Sequence, residues 1–133
     1  SQGVDLNWLM GARQAGDEAS IRAFMLGMNK VFAKLLTLHV PTIAAITGHA
    51  FGNGAMMACA CDFRFMRADR GYFCFPEIDI SIPFLPSMIA YIRKAIPEHR
   101  FNEMALSGRM HKAIVDKMAQ EDQPLIDALK LTV

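Results

Sequence analysis

VPTIAAITGHAFGNGAMMACACDFRFMRADRGYFCFPEIDI, residues 40–80, decides the reading of this chain. Thr42 to Thr47 is a short β-branched run of the kind that forms a strand buried on both faces. Gly48, Gly52 and Gly54 then puncture a turn, and Ala55 to Cys61 is small and apolar enough for a buried helix. Asp62 to Met66 alternates as a second strand, and Tyr72 to Phe75 forms a third extended piece. A strand, a glycine turn and a helix in that order leave unpaired N–H groups at the helix start, which suits a developing oxyanion. Glu77 follows, the acid between Pro76 and Ile78 in an apolar run.

Outward from this stretch the pattern is helical. Ile21, Phe24, Met25, Met28, Val31, Phe32, Leu35 and Leu36 recur at spacings of three and four, one apolar stripe that must end before Pro41. Residues 1–8 read as a loop leaving a strand, with Asp5 as a helix N-cap in the plainer reading. Pro86 and Pro97 stand where a first helical turn tolerates proline, and the second of these helices closes at Ser107-Gly108. A last helix is expected over about residues 123–131. Strands alternating with helices give an α/β fold with parallel pairing, in one domain over residues 1–133.

Composition narrows the function classes. Hydrophobic residues are 53% and charged residues 20% of the 133, a globular composition. Net charge is +1, from 14 basic and 13 acidic residues with no basic block, so nucleic acid is not an expected partner. No apolar run approaches the ~20 residues that span a bilayer, so no membrane association is expected. Cys59, Cys61 and Cys74 are an odd number in apolar sequence and read as small buried hydrophobes of a reducing compartment. His39, His49, His99 and His111 fit no ligand spacing, so no metal is expected. The cytosol is the default compartment, with an organelle open if a targeting segment precedes Ser1.

Each candidate residue carries a plain reading beside the chemical one. The GHAFGNG turn lacks the Lys-Ser or Lys-Thr of a phosphate loop and the spacing of a dinucleotide loop. It is either a ligand-approaching backbone, with the Asn53 N–H aimed at a bound oxygen, or simply a tight strand-to-helix turn. Glu77 either shuttles a proton, its pKa raised by apolar neighbours and by Asp79 on the same face of an extended segment, or caps a helix or pairs with Arg64, Arg67 or Arg70. His49 reads as a hydrogen-bonded structural histidine of the turn. The ten methionines read as core filler.

Residues 40–97, with weaker matches at 1–8 and 101–118, resemble the crotonase superfamily, the enoyl-CoA hydratase/isomerase fold. The segments SQGVDL, ITGHAFG, FMRADRGYF and PEIDI look most like the Δ3,Δ2-enoyl-CoA isomerases. The resemblance implies a partial crotonase-like spiral of ββα turns with C-terminal helices, and a homo-oligomer, a trimer or hexamer. It implies no resident cofactor but a coenzyme A thioester as substrate, its carbonyl oxygen held by the backbone N–H groups of Val4 and Asn53. Gly52, Gly54, Asp79 and Trp8 are the further substrate-binding positions, and Glu77 matches the second of two family glutamates. The first falls on Met56, which cannot accept a proton. One carboxylate suits moving a double bond from C3 to C2 better than adding water. The alternatives are hydration or another acyl-CoA reaction with a different acid, and a non-catalytic oligomeric module with a vestigial site. Family members carry further strands before the first oxyanion position and a longer segment near residues 110–113. The chain is therefore expected to be a piece of a longer protein or a reduced relative that covers its sheet by oligomerising.

Overall fold

Two aspartates set the start of the chain. In the computed structural model, which describes residues 1–67 and 69–108, the Asp5 carboxylate accepts from the Trp8 N–H (3.0 Å) and opens α1, Leu6–Gln14. Asp17 accepts from the Ser20 N–H (3.0 Å) and opens α2, Glu18–Leu36. Both satisfy a donor that the first helical turn cannot. Residues 6–8, expected as loop, thus already belong to a helix. The expected stripe on α2 faces the core through Met25, Met28, Phe32 and Leu35.

The remaining elements come as two strand–strand–helix units. The first is β1 (Ile43–Ile46), β2 (Ala50–Phe51) and α3 (Asn53–Ala60). The second is β3 (Phe63–Met66), β4 (Phe73–Cys74) and α4 (Pro86–Ala95), and α5 (Glu98–Ser107) follows. The units stack in parallel: Ile43 lies beside Phe63 and Ile46 beside Met66, while Ala50 lies beside Phe73 and Phe51 beside Cys74. This is a partial crotonase-like spiral of ββα turns. The short β2 lies inside what reads from sequence as a continuous turn, because two residues are too few to show a period.

Small side chains let α3 sink into the middle of the stack. Ala55, Cys59 and Ala60 are each at most 1% exposed, and Met56 is 2% exposed. Such a helix, apolar all round, calls for cover on most of its sides, and α2, α4 and the strands cover it except at Met57, which is 40% exposed. Phe75, Phe84 and Phe101 pack edge to face beside it, and Phe32 stacks on Tyr91 at 4.6 Å, geometries that suit the ring quadrupoles. The three cysteines are buried as expected. Gly108, at φ 61°, ends α5 in the left-handed region, where the sequence places the stop.

One expectation about burial is overturned. The run at 42–47 is not buried on both faces: Ile43 is 56% exposed, and exposed and half-buried residues alternate along β1. Among the described residues α3 packs on β1, and β1 pairs only with β3, which leaves its other edge unpaired. The expected helix over 123–131 and the short segment at 110–113 lie outside the described residues.

The link between the two units is fastened by Asp62. Its carboxylate accepts from the Thr42 N–H (2.9 Å), the Thr42 hydroxyl (2.8 Å) and Lys94 Nζ (3.2 Å). These bonds hold the Asp62 pKa down at about 2, the Thr42 hydroxyl contributing most. A depressed carboxylate stabilises the fold above its unfolded pKa and stops doing so as pH falls through the folded value. Asp62→Ala is therefore expected to lower the thermal midpoint by a few degrees at neutral pH, and the gap should close as pH falls to about 2. A gap that persists unchanged in acid would assign the effect to packing instead.

Candidate active site

The turn into α3 begins with a backbone that only glycine adopts freely. The Gly52 N–H donates to the Cys74 carbonyl (3.0 Å), and the Gly52 carbonyl accepts from the Met56 N–H (2.9 Å). One residue thus closes the β2–β4 ladder and opens α3. It manages both at φ 50°, ψ −120°, a region closed to residues with a Cβ. The N-terminus of α3 has no side-chain cap. The Asn53 N–H, at its first position, therefore has no acceptor within the helix and carries the positive end of the helix dipole.

The first residues of the chain run alongside. Ser1 N donates to the His49 carbonyl (2.6 Å) and the Phe51 N–H donates to the Ser1 carbonyl (3.0 Å). Gly3, at φ 90°, then turns so closely over α3 that a Cβ on it would lie 3.1 Å from the Phe51 oxygen and 3.7 Å from the Asn53 nitrogen. This turn carries Val4 to the start of α3. Among the described residues the Val4 N–H donates no hydrogen bond.

Glu77 faces the same place from the opposite side. A Cβ on Gly52 would lie 3.2 Å from Glu77 Oε1. Val4, Gly52, Asn53, Met56 and Glu77 all line one cavity of about 90 Å³. Glu77 is 6% exposed, and its Oε2 has no hydrogen-bond partner among the described residues. Burial pushes its pKa up to about 7, because desolvation disfavours the charged form. Its titratable neighbours are Cys74 on β4 and Tyr91 on α4, whose own pKa values burial raises, Tyr91 to about 12. Both are neutral near pH 7. The pairing expected as an alternative does not form: Arg67 holds Asp69, and Arg64 donates to the Cys61 carbonyl (2.7 Å).

Asp79 plays no part in the Glu77 shift. Residues 76–81 form turns rather than an extended segment, so Glu77 points inward while Asp79 is exposed, with its carboxylate over Gly108. Gly54 and Trp8 also lie away from the cavity. Gly54 faces Ser1, and Trp8 packs on Phe24 at 5.4 Å beside a shallow outer cleft. Among the described residues His49 Nδ1 is buried without a hydrogen-bond partner. The ring stacks on Tyr72 instead (5.5 Å), contrary to its reading as a hydrogen-bonded histidine.

The apolar walls were not legible as a site. Leu6 and Leu9 of α1, Met25 and Met28 of α2, Ile80, Ile82 and Met88 are among the apolar lining. An amphipathic stripe looks the same whether it faces a core or a cavity. The Tyr91 hydroxyl donates to Met56 Sδ (3.9 Å), and a thioether at this wall can neither ionise nor deprotonate water. Among the described residues no three potential metal ligands cluster, and no helix is long and apolar enough to cross a membrane. The arrangement can take a proton from carbon beside a carbonyl whose oxygen rests on two N–H groups.

Known proteins share this architecture. The family model for enoyl-CoA hydratase/isomerase matches residues 1–120. Enoyl-CoA delta isomerase 3 of Arabidopsis thaliana is 37% identical over 91% of this chain and 54% of its own length. The peroxisomal enoyl-CoA delta isomerase 2 of the same plant is 35% identical over 82% of this chain and 46% of its length. Among solved structures, an enoyl-CoA hydratase/carnithine racemase from Magnetospirillum magneticum superposes with a TM-score of 0.77 at 29% identity, covering 90% of this chain and 43% of that one. The chain spans about half the length of the curated relatives it matches. With its two stacked ββα units and a family match over 120 of 133 residues, the chain belongs to the enoyl-CoA hydratase/isomerase family.

Proposed function

We propose that the protein carrying this chain is an enoyl-CoA isomerase that moves a double bond from C3 to C2 of a coenzyme A thioester. The observation that carries the reading is a single one: Glu77 is the only carboxylate among the described residues lining the cavity, with Met56 lining it too. Glu77 removes a C2 proton, the dienolate oxygen rests on the Val4 and Asn53 N–H groups, and Glu77 returns the proton to C4. Each N–H donor contributes about 3–4 kcal/mol to such a step. A base with a pKa of about 7 is matched to this work, basic enough to take the proton and acidic enough to return it. The isomerase names of the two plant relatives favour the same reaction.

Conversion of a 3-enoyl-CoA to its conjugated 2-enoyl isomer tests the reading directly. The same protein should add water to a 2-enoyl-CoA at least about a hundredfold more slowly, since a thioether cannot hold or deprotonate water. Hydration at or above the isomerisation rate would assign the protein to hydratase chemistry.

We also propose that the working form is a homo-oligomer, a trimer or hexamer. Val31, Val40 and Ile43 are each more than half exposed, and apolar surface of this kind is commonly covered by a partner. Light scattering on the purified protein should give the mass of three or six chains. A monomeric mass at working concentration would remove the proposal.

A further inference from the structure

Glu77 belongs to no helix or strand; it stands in a turn closed by hydrogen bonds of its own backbone. The Asp79 and Ile80 N–H groups both donate to the Pro76 carbonyl (3.0 and 3.3 Å). The Ser81 N–H donates to the Ile78 carbonyl (3.2 Å), and the Ile82 N–H donates to the carbonyl of Glu77 itself (2.9 Å). The last two bonds nest, one inside the other. That is the pattern by which helices end on a left-handed residue, and glycine is its usual occupant.

Here the residue is Ser81. Its φ is 55°, the one positive value at a non-glycine position among the described residues. A Cβ in this conformation crowds the following carbonyl. Serine brings no evident compensation, because among the described residues its hydroxyl makes no hydrogen bond. The strain is held by what the turn connects. On one side is Glu77, whose carbonyl the turn ties down, and on the other are Ile80 and Ile82, which both line the cavity. Strained backbone of this kind concentrates at functional sites, where the surrounding structure imposes it.

We propose that Ser81 is a positioning residue: its left-handed backbone closes the turn that aims Glu77 into the cavity and sets Ile80 and Ile82 as its wall. The proposal rests on the isomerase reading for its activity arm but not for its structural arm. A proton that leaves one carbon and returns to another requires a carboxylate reaching both, from a fixed backbone in a dry pocket. An opened turn would shift the carboxylate and admit water together.

The test compares Ser81→Gly, Ser81→Thr and Ser81→Val in the full protein. Circular dichroism checks the fold, and kcat, KM and the pH profile are taken with a 3-enoyl-CoA. Carbon-13 NMR follows the Glu77 carboxyl titration. Ser81→Gly, which adopts the left-handed region freely, should keep the wild-type kcat and carboxyl midpoint. Ser81→Val should lower kcat by about tenfold to a hundredfold with KM changed by less than about twofold. Its carboxyl midpoint should also fall by about one unit or more, toward an ordinary glutamate. A folded Ser81→Val with unchanged kcat and midpoint overturns the proposal, as does a Ser81→Gly that loses as much as Ser81→Val. If Ser81→Val does not fold, Ser81→Thr, β-branched but polar, decides in the same way, with an intermediate loss expected and no change overturning it. If the wild type shows no turnover, the isomerase reading fails, while the carboxyl midpoints still decide the role of Ser81.

Discussion

Glu77→Gln should lower kcat for double-bond migration by about three to four orders of magnitude, since general acid–base catalysis alone contributes up to ~10⁴-fold and no other carboxylate among the described residues lines the cavity. The same substitution should make the protein more stable above neutral pH. Glu77 is a carboxyl whose folded pKa, about 7, lies above its ordinary 4.5. Below 4.5 it is protonated in both folded and unfolded chains, and its contribution to stability is fully present. As pH rises from 4.5 to about 7 the unfolded chain ionises first, and stability falls through that window. The loss approaches about 3 kcal/mol, and a neutral amide does not incur it.

Activity and stability of the wild type should therefore move in opposite directions with pH. Turnover rises with the ionised fraction and reaches half its plateau near pH 7, while the unfolding free energy declines over the preceding units. Denaturant titrations and kcat/KM profiles on wild type and Glu77→Gln over one pH range check both limbs. A variant that is inactive yet has the wild-type pH dependence of stability would mean that Glu77 is not the buried acid that titrates near neutrality.

Gly52→Ala is the second large effect. An alanine at φ 50°, ψ −120° is held in a region that costs about 1–3 kcal/mol. Its Cβ would press on Glu77 Oε1 at 3.2 Å. Relaxing either contact turns the peptide that presents the Asn53 N–H. A misaimed oxyanion donor costs about 10²–10³ in kcat, so the variant should lose activity on that scale with the base still in place. Gly11→Ala and Gly27→Ala are the matched controls. Each glycine lies inside a helix with nothing within 4 Å of an added Cβ, so each change should stabilise the protein by about 0.5–1 kcal/mol without touching turnover. A fully active Gly52→Ala would remove the Asn53 N–H from the mechanism.

These expectations draw unequally on sequence and structure. The glycine turn was legible because glycine punctuation between a β-branched run and an alanine-rich run has few other meanings. Most helix boundaries were legible too, because aspartate and proline act on the backbone within one turn of themselves. The turn at 76–81 was not. PEIDIS carries no glycine, and its left-handed serine is held by bonds to Pro76, Glu77 and Ile78 rather than by a local preference. The same blindness produced the error about Asp79: an extended reading puts it beside Glu77, whereas the turn buries Glu77 and leaves Asp79 exposed. His49 escaped for a related reason, since stacking on Tyr72 requires a strand pairing between residues more than twenty positions apart.

By itself, then, the sequence determined the order of β1, β3, β4 and of α2 to α5, though not α1 or β2, together with the family pattern, the candidate base and the thioether beside it. Those follow from side-chain chemistry and short-range backbone preference, which each residue carries wherever it is placed. Only the tertiary structure decided that Val4, Gly52, Asn53 and Glu77 share one cavity while Trp8, Gly54 and Asp79 do not. It alone decided that Glu77 loses its water and rises to a pKa of about 7. Desolvation is the sum of neighbours brought from α1, α2, α3 and α4, and no single segment of chain contains that sum.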